Sequence, residues 1–496
     1  MNSMELGAWR AATVAAVLAG MIGLPCLAAA GDAGRIVRAA APEGAIDHVL
    51  VIVLENESFS ATFGPTSPAV YLNTTLLQQG ELITNYFATS HVSLGNYVSM
   101  VSGQESTPSQ NNDCLNLASL SSPPLVGGFT NVSPGTDTTE PSNFPGQVVG
   151  DGCVFPAPTP STQGARTIGD QLDDNRGREQ DRGGEDRSDE SRRHHDTTWR
   201  GYAEDMGNDL VRDYGTPDPL GGADCAHPPI NGVDHSNSAE AADQYATRHN
   251  PFVYFHSVID DAARCNRHVV PLGKLTVGAA GAPDAFQGHL FDDLERLEST
   301  PKFMFITPNL CDDGHDATCA GPNVEGTLNA TGKNIGGLVG ADLWLKHWMP
   351  MIFSSPAYRS GKLLVVVTFD EAGTGDARAC EKTNQADCHS PTGPNLVDPG
   401  FSPILGLFGA QMNPGTTPFI YAGGGQVGAV LFNSRLIEPG TVNTTGSYNH
   451  YSALRSYEDL LGIREGGDDG FGHLGYASVP GLLPFGPDVF NRPHGE

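Results

Sequence analysis

The sequence predicts an α/β sandwich built on a mainly parallel sheet, and two observations lead to that prediction. Continuous apolar runs rich in β-branched or aromatic residues recur along the chain, at 48–54, 252–255, 303–306 and 363–369. Runs without polar alternation are typical of strands in a parallel sheet that is covered on both faces. Helix-like stretches are interspersed with them, at 96–101, 342–352 and 451–461. This alternation of strands and helices favours an α/β architecture.

The composition narrows the classes of function. The chain has 496 residues with 28 Lys and Arg against 57 Asp and Glu, a net charge of -29. This acidity argues against a protein that binds nucleic acid or anionic lipid through its own positive field. A cation is a more natural partner, and no nucleic-acid partner is expected.

The first thirty residues have the layout of a secretory signal. Arg10 precedes an uncharged stretch, 11–30, that ends in small residues, a pattern typical of a cleaved export signal. An uncleaved anchor is the alternative, because a stretch of this length could span a bilayer. Pro25 and the many small residues favour cleavage near Ala30. We therefore expect a signal peptide over 1–30 and a secreted or periplasmic protein without a stable membrane anchor.

The cysteines agree with export. Of nine cysteines, one lies in the signal, and the even number that remains predicts disulfides in an exported chain. Pairing of sequence neighbours is the simplest arrangement: Cys114 with Cys153, Cys225 with Cys265, Cys311 with Cys319, and Cys380 with Cys388. No CxxC pair occurs, which argues against a zinc ribbon.

The segment 173–196 differs from the rest of the chain. It consists largely of charged residues of both signs and has no aliphatic or aromatic side chain. Such a segment cannot bury enough apolar surface to order itself. We therefore predict a disordered, solvated insertion at 173–196.

Acids and amides follow three of the predicted strands. Glu55 and Asn56 follow the first, 307–316 contains several, and Asp370 and Glu371 follow the last. Each could merely cap a helix. Their recurrence at strand ends, which meet at one edge of a parallel sheet, indicates a site for Mg²⁺, Ca²⁺, Mn²⁺ or Zn²⁺, because repelling carboxylates need a cation or protons.

Two further segments place reactive groups before helices. Ser93 precedes an apolar helix-like stretch and could be either a nucleophile or a helix cap. His450 near the C-terminus could approach the same site or satisfy a buried contact.

Together these segments resemble a known family. Matching motifs occur in order at 48–64, 89–103, 245–255, 305–316, 340–358, 363–371 and 449–462. They are similar to the phosphoesterase family of bacterial acid phosphatases and phospholipases C, a branch of the alkaline-phosphatase-like superfamily. The resemblance implies a three-layer α/β/α sandwich, a single catalytic domain over 45–485, and metal-dependent hydrolysis of phosphate mono- or diesters. The substrate would be a small phosphate ester or a phospholipid head group.

The resemblance also implies a role for individual residues. The expected metal ligands are Glu55, Asn56, Asp312, Asp370 and Glu371. The expected catalytic residues are Ser93, as the nucleophile, and His91. The expected substrate-binding residues are Asn96, His249, Asn309, His315 and His450.

Two alternatives remain open at this point. The sequence from His91 to Tyr97 lacks the two prolines common in relatives, which favours a secreted binding protein with a degraded site. The second alternative is a related sulfatase or phosphotransferase, which would have the same site residues but act on a sulfate ester or transfer the phosphoryl group. Sulfatases need a CxPxR-type context, which Ser93 lacks.

Overall fold

The computed structural model describes residues 38–115, 127–134, 146–161, 163–182, 197–373 and 424–493. The strands are β1 His48–Leu54, β2 Glu81–Ile83, β3 Tyr86–Phe87, β4 Gly127–Gly128, β5 Ser133–Pro134, β6 Gly150–Asp151, β7 Trp199–Ala203, β8 Thr216–Pro217, β9 Ala223–Asp224, β10 Val233–Asp234, β11 Val269–Pro271, β12 Lys274–Thr276, β13 Ala285–Gln287, β14 Phe303–Thr307, β15 Leu363–Phe369, β16 Ala429–Phe432, β17 Thr441–Asn443 and β18 Tyr448–Asn449. The α-helices are α1 Phe59–Phe63, α2 Ser93–Ser102, α3 Ile168–Arg182, α4 Leu210–Asp213, α5 His256–Ile259, α6 Ala262–His268, α7 His289–Leu294, α8 Gly337–Ser354, α9 Pro356–Arg359 and α10 His450–Leu460. Shorter 3₁₀ turns lie at Gln110–Asn112, Thr247–His249, Pro251–Tyr254 and Gly475–Ser478, and a π turn lies at Leu72–Leu76.

An eight-stranded sheet forms the centre, in the order β11-β7-β14-β1-β15-β16-β2-β17. The five strands from β11 to β15 pair in parallel, whereas β16 runs antiparallel to both of its neighbours. Strand β1 lies between β14 and β15, so Val51 faces Phe305 on one side and Val366 on the other. The predicted α/β fold with a mainly parallel sheet is confirmed.

The central strands are covered on both faces. Every residue of β1, β14 and β15 is buried, and successive side chains of a strand point to opposite faces. Helices α2 and α10 pack on one of these faces, where Tyr97 contacts Phe305 and Tyr457 contacts Phe303. This packing places the first residue of α2 near the ends of the central strands.

Three residues of the aromatic run 252–255 lie in the 3₁₀ turn Pro251–Tyr254, and Phe255 forms only an isolated bridge with Phe155, so the strand predicted there is wrong. Pro251 opens the turn without an N–H to donate to a sheet. The ring of Phe252 packs on Trp199 with ring centroids 4.5 Å apart. The run is apolar because it lies against the sheet, and periodicity alone cannot separate that case from a buried strand.

The predicted disordered insertion is partly ordered. Helix α3 extends to Arg182, so the prediction is wrong for 173–182. Asp173 explains this order, since its carboxylate accepts hydrogen bonds from the Trp199 indole at 3.1 Å and the Arg264 guanidinium at 2.9 Å. Residues 183–196 lie outside the described residues.

Three of the four predicted disulfides are present, joining Cys114 to Cys153, Cys225 to Cys265 and Cys311 to Cys319. The fourth pair, Cys380 and Cys388, and the predicted signal peptide lie outside the described residues. The described residues, from Arg38 onward, belong to one compact unit. Within the described ranges, no helix has both the length and the apolar character needed to cross a membrane.

Candidate active site

Three strand ends meet at the carboxyl edge of the sheet because β1 lies between β14 and β15. The backbone N–H of Glu55 donates to the carbonyl of Asp313 at 2.7 Å. The N–H of Asn56 donates to the Asp370 carboxylate at 2.8 Å, and the N–H of Asp370 donates to the Leu54 carbonyl at 2.8 Å. These bonds fix the acidic loops after the three strands against one another.

Ser93 lies at the start of α2, facing the same loops. Its side chain is buried, and its hydroxyl donates to Glu55 Oε2 at 2.9 Å. The Asn56 amide donates to the same carboxylate oxygen at 2.7 Å and lies 3.4 Å from Ser93 Oγ. The structure thus brings together the predicted nucleophile and the first pair of predicted metal ligands.

Asn96 holds the turn before Ser93. Its Oδ1 accepts the backbone N–H groups of Thr89 and Ser90 at 2.9 and 2.8 Å, and its Nδ2 donates to the Ser90 carbonyl at 2.8 Å. With both ends of its buried amide bonded inside the chain, Asn96 positions the nucleophile turn. This differs from the predicted contact with substrate. These hydrogen bonds hold a turn in which the expected prolines are missing.

His249 lies between two acids of the site. Its Nε2 is 3.1 Å from Glu55 Oε1, and its Nδ1 is 3.7 Å from Asp313 Oδ2. Tyr97 of α2 stacks on the imidazole, with ring centroids 5.2 Å apart. Glu55, His249 and Asp313 each offer a ligand atom, and these atoms lie within 4.8 Å of one another. The prediction placed His249 against substrate, whereas the geometry places it with the carboxylates.

The electrostatics of these groups fit a divalent cation. Burial raises the pKa of Glu55, Asp313 and Asp370, and repulsion between the carboxylates adds to the effect for Asp313 and Asp370. Burial lowers the pKa of His249, which is therefore a neutral imidazole. Several buried side-chain atoms of the described residues have no hydrogen-bond partner, and four of them lie in this site: Glu55 Oε1, Asp313 Oδ2, Asp370 Oδ2 and His249 Nε2. Three carboxylate oxygens and a neutral imidazole nitrogen with unused lone pairs are a suitable donor set.

Glu371 and His91 form a pair beside this cluster. The Glu371 carboxylate contacts His91 Nδ1, and both side chains are buried. Glu371 was predicted as a metal ligand, and its Oε2 instead faces the imidazole. The contact fixes the orientation of the His91 ring two residues before Ser93.

Asp312 belongs to a different group, here called the second acid cluster, which consists of Glu204, Asp205, Asn309 and Asp312. The Asn309 backbone N–H donates to Glu204 at 3.1 Å, and its side-chain amide donates to Asp205 at 3.0 Å. Asn309 Oδ1 accepts the Asp312 N–H at 3.1 Å. Asp312 and Asn309 therefore lie in this cluster, and their roles as a ligand and a substrate contact stay predictions. The neighbouring residue Asp313 faces the site instead.

The two remaining predicted histidines lie behind the site and at its rim. His450 is buried behind Asp370, where its Nε2 donates to the Asp370 carbonyl at 2.7 Å and its Nδ1 accepts from the Tyr86 hydroxyl at 3.2 Å. Burial lowers the pKa of His450 to about 4. Both ring nitrogens are occupied, so His450 positions the strand end and does not face substrate. His315 is 46% exposed, and its bond to Asp316 raises its pKa to about 9.

A second group of potential ligands, Asp218, Asp224 and His289, lies elsewhere. His289 Nε2 lies 2.9 Å from Asp218, and the Arg200 guanidinium donates to His289 Nδ1 at 2.7 Å. Since a guanidinium can only donate, Nδ1 is the acceptor and Nε2 carries the proton. That tautomer leaves no lone pair on Nε2 for a metal, so this group is a hydrogen-bonded network.

The chain was compared with known proteins to find the class of protein that it resembles. No family model matches the chain. The chain is 29% identical over 179 residues to a phosphate-repressible acid phosphatase of Penicillium chrysogenum, covering 36% of this chain and 29% of that protein. It is 27% identical over 148 residues to an acid phosphatase of Aspergillus fumigatus, covering 30% and 25%. The resemblance to phosphoesterases is thereby confirmed, and the matched segment spans less than a third of these relatives.

Solved structures with a similar chain path include a protein in the alkaline phosphatase superfamily from Vibrio parahaemolyticus. It has a TM-score of 0.40 and 10% identity, and the alignment covers 92% of this chain and 73% of that one. Another is the sulfatase PsFucS1 from Pseudoalteromonas sp., with a TM-score of 0.38, 12% identity and coverage of 86% and 70%.

Proposed function

We propose that this protein is an exported, metal-dependent hydrolase of phosphate esters that uses Ser93 as its nucleophile. The observation that supports this proposal best is the hydrogen bond from Ser93 to Glu55, beside four buried ligand atoms that lack partners. The acid phosphatases among its relatives favour a phosphate ester, and the three disulfides favour an oxidising compartment.

The cation would be held by Glu55, His249, Asp313 and Asp370, with Asn56 alongside. When bound, it would lower the pKa of the nearby hydroxyl and neutralise charge on the phosphoryl oxygens. Asp313 and His249 replace Asp312 and Glu371 in the ligand set drawn from the resemblance.

The chain's own residues then carry out two displacement steps. The Ser93 oxygen attacks phosphorus and gives its proton to Glu55, while the bond to the leaving oxygen breaks and a phosphoserine forms. His91, oriented by Glu371, donates a proton to the leaving oxygen. In the second step water gives a proton to His91 and attacks phosphorus, the bond from phosphorus to Ser93 Oγ breaks, and Glu55 returns its proton to Ser93 Oγ as phosphate leaves. His315, cationic at the rim, attracts the anionic substrate.

The test is the Ser93→Ala variant, assayed with p-nitrophenyl phosphate with and without chelator. We expect kcat to fall at least about 10³-fold, with unchanged folding and metal content. Ser102→Ala is the matched control, because Ser102 lies in the same helix and its hydroxyl bonds only to nearby backbone: it donates to the Val98 carbonyl at 2.7 Å and accepts the Gln104 N–H at 3.1 Å. Full activity of Ser93→Ala would exclude the covalent step.

The ester is identified by a panel of substrates: p-nitrophenyl phosphate, its bis-ester, p-nitrophenyl sulfate and a phosphatidylcholine vesicle. A preference for the monoester indicates a phosphatase, and a preference for the diester or the vesicle indicates a phosphodiesterase or phospholipase C. Turnover of the sulfate ester alone, or of none of the four, would contradict the proposed function.

A further inference from the structure

Arg248 is a half-buried cation that precedes His249 in the 3₁₀ turn Thr247–His249. Its side chain is only 13% exposed. Its contacts are long: Nε lies 3.7 Å from Asp113 Oδ2, and Nη1 lies 3.4 Å from Asn237 Oδ1. A guanidinium carries five N–H donors, so these contacts use little of its capacity.

Arg264 shows how this protein holds a structural arginine of similar exposure, 16%. It lies 2.9 Å from both Asp170 and Asp173, and it donates to the Ser257 carbonyl at 2.6 Å. Burying a guanidinium without close partners costs free energy. The loose contacts of Arg248 therefore indicate that a further anionic partner belongs beside it.

A neighbouring amide points the same way. Asn237 is 9% exposed, and in the described part of the chain its Nδ2 has no hydrogen-bond partner. Asn237 Nδ2 is thus a buried donor without a partner, and it belongs to the side chain whose Oδ1 lies 3.4 Å from Arg248 Nη1. Buried donors are normally satisfied, and an anion that accepts from both Asn237 and Arg248 would satisfy this one.

Arg248 is also connected to the nucleophile. Asp113, its ion-pair partner, accepts the backbone N–H of Leu94 at 2.9 Å, and Leu94 follows Ser93 in α2. On the other side, His249 lies 3.1 Å from Glu55. The positive charge of Arg248 also lowers the pKa of Glu55, against the dominant effect of burial. Arg248 is therefore connected to the start of α2 through Asp113 and to the carboxylates of the site through the adjacent His249.

We propose that Arg248 binds a nonbridging oxygen of the substrate's phosphoryl group and favours phosphomonoester dianions over diester monoanions. This inference rests on the proposed function, because it assigns the substrate class of the same site. Asp113 is the positioning residue that holds the guanidinium beside α2. A dianion gains more from a buried guanidinium than a monoanion does, which is the source of the selectivity.

The experiment compares Arg248→Gln and Arg248→Lys with the wild-type full chain, using p-nitrophenyl phosphate, its bis-ester and inhibition by inorganic phosphate. A hydrogen bond to a charged group contributes about 1.5–3 kcal/mol, which corresponds to about 10- to 100-fold. For Arg248→Gln we expect a loss of this size in kcat/KM for the monoester and a similar rise in the phosphate inhibition constant. The monoester-to-diester ratio of kcat/KM should fall about tenfold, and Arg248→Lys should be intermediate.

Arg264→Gln is the control, because it removes an arginine of similar exposure that is already held by Asp170 and Asp173, and it should lower Tm without changing the ester ratio. Equal losses for both esters with an unchanged phosphate inhibition constant would overturn the inference, as would no loss at all. If the wild type hydrolyses neither ester, the proposed function fails separately, and calorimetry with inorganic phosphate decides the inference. Weaker binding by Arg248→Gln than by wild type supports it, and equal binding or none overturns it.

Discussion

Two groups of buried acids lie next to each other in this protein and are held in opposite ways. In the second acid cluster, Glu204 Oε2 accepts hydrogen bonds from the Asn309 backbone N–H at 3.1 Å and from the Trp344 indole at 2.9 Å. Donors of the protein itself therefore satisfy this carboxylate oxygen. In the site, Glu55, Asp313 and Asp370 each keep a buried oxygen without a partner among the described residues. Buried acids whose oxygens accept from protein donors are satisfied within the fold, whereas the unpartnered oxygens of the site are suited to hold a cation.

The largest expected difference between the two clusters is in metal affinity. Asp313→Asn should weaken binding of Mn²⁺ or Zn²⁺ by about 100-fold or more, because it removes a ligand oxygen, whereas Asp312→Asn should change it by only a few-fold. Calorimetric titration of the full chain with each metal measures this difference. The comparison breaks if Asp312→Asn weakens metal binding as much as Asp313→Asn does.

Metal should stabilise the fold more as the pH rises. In metal-free protein the raised pKa values of Glu55, Asp313 and Asp370 mean that their contribution to stability is present below pH 4 and is lost as the pH rises through the folded values. Bound metal reverses this trend, because it needs the ionised carboxylates. At 100 times Kd, metal adds about 2.7 kcal/mol. Melting curves at pH 5 and pH 8, with Mn²⁺ and with chelator, should show a wider gap at pH 8, and a constant gap would contradict this account.

The loop that carries Asp313 is closed by the Cys311–Cys319 disulfide. The double variant Cys311→Ser and Cys319→Ser should weaken metal binding by about tenfold, because the ligand loses its fixed position. The control is Cys225→Ser with Cys265→Ser, which opens a disulfide outside the site and should lower Tm while metal affinity stays the same. Equal metal affinity in all three proteins would show that the bridge does not position Asp313.

The smallest expected effect is on the second acid cluster itself. Burial and the charge of Asp205 raise the pKa of Glu204 to about 8. Its contribution to stability is therefore complete below about pH 4.5 and is lost as the pH rises towards 8. Glu204→Gln keeps the acceptor oxygen and should be more stable than wild type by about 1–2 kcal/mol at pH 8, with little difference at pH 4.5. Urea unfolding at the two pH values checks this sign, and a destabilised variant at pH 8 would contradict it.

The sequence allowed the sheet and part of the site to be predicted. Strands β1, β14 and β15 are continuous apolar runs, and Glu55 and Asp370 follow directly after β1 and β15. Because the carboxyl ends of parallel strands meet at one edge of a sheet, the sequence predicted that these two acids lie close together. Asp312 and Asp313 could not be told apart, because the turn decides which carboxylate points inward. In that turn Gly314 has a φ of 113°, and the N–H of His315 donates to Asp313 at 2.9 Å.

The partners of His249 and Arg248 were not predictable, because the aromatic run after them was taken for a strand. The true element is a pair of 3₁₀ turns whose position depends on packing against the sheet. Contacts made by tertiary packing leave no periodic signal in the sequence.

Helix α2 carries both Ser93 and Tyr97, the residue whose ring stacks on His249. Tyr97 lies four residues after Ser93, so both side chains project from the same side of α2. Any sliding of that helix along its axis would displace Ser93 Oγ and the Tyr97 ring by the same amount. A single residue inserted between positions 93 and 97 would rotate Tyr97 by about 100° relative to Ser93, so the ring that stacks on His249 and the Ser93 hydroxyl would no longer project from the same side of α2.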